Sequence, residues 1–158
     1  MNNFEKEFKP SNWFNYYAKN TEKGFFFMRK ENNIERFFTQ LTGNLHYIEV
    51  VERTTKVMNT TYRTVDITLK TDIENTFIVI STGFETFNAC ILLEKLISLE
   101  YGANVNLSTW CIKDSEKRKF GFVVRNEQGE KVEFPKTEGK TLFDFQTEIL
   151  KKLENLNA

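Results

Sequence analysis

Residues 62–85 read YRTVDITLKTDIENTFIVISTGFE, and the fold is decided here. Arg63, Val65, Ile67 and Leu69 alternate with Tyr62, Thr64, Asp66, Thr68 and Lys70, the period-two signature of a strand with one buried face. Asp72 to Asn75 carries turn chemistry, and Phe77, Ile78, Val79 and Ile80 then form a short apolar run suited to a central strand covered on both faces. Thr82 and Glu85 stand three residues apart just before a helical pattern, the spacing of a capping box. A helix is therefore expected to start at Thr82. Phe84, Phe87, Ile91, Leu92, Leu96 and Leu99 recur at three- and four-residue spacing, and Gly102 supplies the left-handed exit.

Working outward, Leu45, Tyr47, Ile48, Val50 and Val51 predict an earlier strand, followed by a Thr-rich loop or flared hairpin over 53–61. Downstream, Val105, Leu107, Thr109 and Cys111 share one face of a strand. Asn104, Asn106, Ser108, Trp110 and Ile112 share the other. A charged connection over 113–119 leads to a fifth strand at Phe120, Phe122 and Val124, and Gln128-Gly129 reads as a tight turn into a last hairpin arm. Leu142, Phe145, Ile149, Leu150, Leu153 and Leu156 predict an amphipathic carboxy-terminal helix. Residues 1–33 follow no clean period, so three parts are expected: an aromatic N-terminal extension (1–33), a β domain (34–136) and the helix (137–158).

The 158 residues suit one compact domain, and 22 basic against 22 acidic residues cancel any long-range field. Aromatic side chains are in excess: 16 Phe, 5 Tyr and 2 Trp, more than a core of this size needs. No apolar run is long enough to span a bilayer, and Met1 to Lys9 is polar, so a cytoplasmic protein with no membrane partner is expected. Cys90 and Cys111 have no partner motif and read as small core hydrophobes. His46 lacks a nucleophile partner, no glycine-rich phosphate loop occurs, and Asp66, Asp72 and Glu74 follow a strand and turn rather than a ligand set. A non-enzyme without metal or cofactor is expected.

Three strands, a helix and two strands is the element order of the OB-fold, a five-stranded Greek-key barrel with a helix between strands three and four. Residues 44–134 resemble an OB-fold single-stranded-DNA-binding domain. The stretch 104–134, NVNLSTWCIKDSEKRKFGFVVRNEQGEKVEF, is similar to small phage-type single-strand-binding proteins. The resemblance implies sequence-tolerant binding of single-stranded DNA in replication or recombination, with proteins of those processes as partners. It implies a groove flanked by the loops after the first and fourth of these strands.

Both of those loops are basic. Arg53, Lys56, Arg63 and Lys70 face one acid over 53–70, and Lys113, Lys117, Arg118 and Lys119 face two acids over 113–119. These side chains are the expected phosphate contacts, with Trp110 and Tyr62 as stacking platforms. Replication proteins of this kind often end in an acidic tail, whereas this chain ends LKKLENLNA, so its terminal helix is expected to close the fold or to make a homo-oligomer contact. The rival reading is a protein-interaction or assembly module with an OB-like barrel and no nucleic-acid ligand.

Overall fold

A computed structural model describes residues 11–113, 118–133, 137 and 139–158. Its elements are β1 (Asn12–Thr21), β2 (Gly24–Glu31), β3 (Ile34–Phe38), β4 (Gln40–Thr54), β5 (Thr61–Lys70), β6 (Thr76–Gly83), α1 (Phe87–Leu99), β7 (Asn104–Lys113), β8 (Arg118–Arg125) and α2 (Leu142–Leu156). The protein is mainly β. All eight strands form one sheet in the order β3-β2-β1-β6-β5-β4-β7-β8. Its neighbours are antiparallel except β1 and β6, which run parallel from Asn12 beside Thr76 to Tyr17 beside Ser81.

This corrects the expected closed five-stranded barrel. Closing β4 to β8 into a ring would require the outermost pair, β6 and β8, to hydrogen-bond. Instead β6 offers its free edge to β1, a strand formed by residues expected to lie in an extension. The sheet still curls into a half-barrel, and the curl brings β2 against β8 through rings: Phe25 lies 4.8 Å from Phe120 and 5.1 Å from Phe122. Lys113 reaches across the same gap to the carbonyl of Glu22 in the β1–β2 turn. The β2–β3 hairpin turns at Asn32 and Asn33, both at positive φ as a primed turn demands, so the sheet runs continuously through residue 33.

Burial follows the alternation. Val65, Ile67 and Leu69 on β5 are fully buried and meet Ile78 and Ile80 of β6, Ile48 of β4 and Tyr16 of β1 on the concave face. Phe27 and Phe84 fill the same core, each at zero exposure. α1 lays Ala89, Cys90, Leu92, Leu93 and Leu96 over it, and α2 adds Phe145, Ile149 and Leu153. Each such Leu, Ile, Val or Phe side chain contributes about 1.5–3 kcal/mol on burial. Burial, with the Glu85 charge adding, pushes the Cys90 thiol up to about 11, so it stays protonated at neutral pH and behaves as a core hydrophobe.

The start of α1 is a second correction. Thr82 and Gly83 belong to β6, and the N-cap is Thr86, whose hydroxyl accepts the Ala89 amide at 3.2 Å. Glu85 does not turn back to a cap because Arg63 claims it, with contacts of 2.7 and 3.2 Å. The carboxy-terminal helix stands where its spacing placed it, capped by Thr141 on the Asp144 amide. The Gln128-Gly129 turn also forms, closed among the described residues by a bridge between Arg125 and Lys131; Phe134, the end of the expected hairpin arm, lies outside the described residues.

Candidate nucleic-acid interface

Because β-strand side chains alternate, residues opposite the buried set form the convex face, and cross-strand registers arrange them in rows. Trp13, Phe77 and Lys70 make one row, Asn15, Val79, Thr68 and Tyr47 the next, and Tyr17, Ser81, Asp66 and Glu49 the third. Farther along, Gly83 faces Thr64, and Tyr62 faces Arg53. Among the described residues of β1, β4, β5 and β6, four rings stand open on this face: Trp13 is 52% exposed, Tyr17 50%, Tyr62 43% and Tyr47 41%. Trp13 is stacked on Phe77 with centroids 4.5 Å apart and planes 15° from parallel, and the His46 ring lies 5.2 Å from the same Phe77. One face of the indole is thus fixed, and half of the side chain remains exposed among the described residues.

Between Tyr17 and Tyr62 the face dips into a cavity of about 600 Å³. Asp66 sits in its floor with 13% of its side chain exposed, accepting from the Ser81 hydroxyl at 2.7 Å and from Arg53 Nη2 at 3.0 Å. Arg53 also donates to Thr64 through Nε at 3.0 Å, so its guanidinium is held between Thr64 and Asp66. Gly83 keeps the cavity open: a Cβ built there meets nothing within 4 Å.

The expected site residues divide. Arg53 and Tyr62 come together at this cavity, with Lys56 in the hairpin beyond them and Lys70 at the far end of β5 on the same face. Arg63 points to the concave side, where it pairs with Glu85 and lies over the Phe84 ring at 4.9 Å. Gln146 of α2 donates to Phe84 O and to Glu85, so this pair fastens the carboxy-terminal helix. Hydrogen bonds from Arg63 and then Gln146 hold the Glu85 carboxyl below its usual range. Arg118 also turns inward, donating to Cys111 Sγ at 3.2 Å. Lys113 is engaged with Glu22, Lys119 is exposed on the edge strand β8, and Lys117 lies outside the described residues.

Trp110 is on the convex face as its parity predicts, but on another wall. It lies on Gly121, its cross-strand partner, so closely that a Cβ there would sit 3.1 Å from the indole. Large rings commonly cover glycines on edge strands in this way. Gln40, opposite Ser108, and Arg53, opposite Tyr62, are thirteen residues apart along β4, on the order of 40 Å of strand. The two expected stacking residues therefore serve different surfaces. Sequence reasoning did not single out Trp13, Tyr17, Tyr47 or Ser81 for the site; the alternation of Trp13, Asn15 and Tyr17 against Phe14, Tyr16 and Ala18 was a usable signal for the first two.

Among the described residues no group of three or more His, Cys, Asp or Glu side chains is placed to hold a metal ion, and Asp66 is engaged by Arg53 and Ser81. No helix of the described residues is long and apolar enough to cross a membrane. No protein-family model, curated protein or solved structure matches the chain.

Proposed function

We propose that this protein binds single-stranded DNA with little sequence preference along the convex face of β1, β6, β5 and β4. The observation that carries the reading is the set of exposed rings on that one face, Trp13, Tyr17, Tyr47 and Tyr62. Aromatic faces accept any base, and each stack is worth about 1–3 kcal/mol. Charge plays the smaller part, since Arg53 is paired with Asp66, Lys19 with Glu35, and Glu49 lies on the same face. Among the described residues, Lys56 and Lys70 remain as cations flanking the rings. Binding should therefore weaken only gently with salt: neutralising two phosphates of a single strand gives a log–log slope of about −1.4.

Fluorescence anisotropy of labelled oligo-dT, titrated with protein across a salt series, tests this. Saturable binding with a shallow slope is the expected result. Absence of binding at low ionic strength overturns it. The second reading, an assembly module, draws on the short edge strand β3, where Ile34 and Phe37 are 61% and 45% exposed. A particle larger than a monomer without DNA, together with no oligo-dT binding, favours that reading.

A further inference from the structure

The cavity between Tyr17 and Tyr62 is more than a gap between platforms. We propose that it is a single-base pocket selective for guanine, one discriminating position on an otherwise sequence-tolerant face, into which one base of the bound strand drops; this rests on the single-strand reading above. Its floor carries a carboxylate and a guanidinium side by side, Asp66 and Arg53, joined at 3.0 Å. Each carboxylate oxygen has two acceptor positions, so Asp66 keeps one open on each oxygen after binding Ser81 and Arg53.

Guanine offers two adjacent N–H donors, N1–H and the 2-amino group, with the O6 acceptor beside them. A carboxylate accepts the two donors together, and the neighbouring guanidinium donates to O6. Thymine presents a single N–H between two acceptors and would set a carbonyl against the carboxylate. Adenine and cytosine offer one amino donor next to a ring-nitrogen acceptor, which satisfies half of the arrangement. The volume, about 600 Å³, admits a purine with its sugar, and the missing side chain at Gly83 gives it depth.

Competition binding with thymine oligonucleotides of equal length, one carrying a single central guanine and one hypoxanthine at that place, tests the pocket. The guanine strand should bind about tenfold tighter than the all-thymine strand. Hypoxanthine, which lacks the 2-amino group, should lose most of that gain. Asp66→Asn should bring the ratio down to about one. Gly83→Leu should do the same by filling the cavity; its backbone is not at positive φ and its Cβ has open space, so the fold tolerates it. Equal affinity of wild type for the guanine and all-thymine strands overturns the pocket and leaves strand binding standing. No binding of any oligonucleotide overturns both. A guanine preference that survives Gly83→Leu also overturns the pocket.

Discussion

Two neighbouring stretches of the convex face use similar residues to opposite ends. Across β4 and β7, Asn104 donates to Asn44, Asn106 to Thr42 and Ser108 to Asn106, so the polar side chains satisfy one another, and Trp110 lies down on Gly121. Across β1, β6 and β5 the rings stand on Phe77 and around an open floor, with Asp66 and Arg53 beneath them. The difference lies in what sits opposite each residue. A ring facing a glycine on an edge strand collapses onto it, whereas rings separated by serine, valine or glycine rows keep their faces free.

The largest effect that could break this contrast is in binding. Trp13→Ala and Tyr62→Ala should each weaken oligo-dT binding by about 1–3 kcal/mol, and Trp110→Ala should change it by less than about twofold. Equal losses at Trp110 and Trp13 would erase the distinction between the walls. A smaller effect separates the concave face from the convex one. Arg63→Ala should lower unfolding stability by about 1 kcal/mol, through its pairing with Glu85 and its place over Phe84, while leaving oligo-dT affinity within about twofold. Denaturant unfolding alongside the binding assay checks both halves.

The smallest effect is a matter of pH. Glu85 titrates lower in the fold than unfolded, so its contribution is fully present above its ordinary carboxylate value. It is lost as pH falls through the lowered folded value. Glu85→Gln should flatten that segment of the acid limb in urea midpoints measured from neutral to acid pH, and an unchanged limb would mean that the Arg63 pairing adds nothing.

Much of the β5 to α2 course was legible because most elements there have one wet and one dry face: Val65, Ile67 and Leu69 against Thr64, Asp66 and Lys70, or Phe145, Ile149 and Leu153 against Asp144 and Glu148. β6 is the exception, since its all-apolar run suggested cover on both faces, whereas Phe77 and Val79 are half-buried on the convex face and only Ile78 and Ile80 enter the core. β1 and β2 hid because both faces carry rings. In Phe25-Phe26-Phe27 the outer two point into the core while Phe26 meets Phe37 on the other side, at 5.6 Å, which removes the period-two contrast. The open topology followed from that omission, since without β1 nothing competes for the edge of β6. Thr82 matched a capping box locally, and the long-range pairing of Glu85 with Arg63 moved the helix start to Thr86. For the site, basic residues were legible by type, but the face each one uses was set by parity in Arg63 and Arg118, both of which turn inward.

The chain has two tryptophans, one on each of the contrasted surfaces, so fluorescence can ask each in turn. Trp110→Phe leaves Trp13 as the sole indole, and Trp13→Phe leaves Trp110. On titration with oligo-dT, emission should be quenched strongly in the Trp110→Phe protein and stay nearly constant in the Trp13→Phe protein, whose strand binding is then followed by anisotropy. Quenching confined to the protein that keeps only Trp110 would contradict the placement of the strand on β1, β6, β5 and β4.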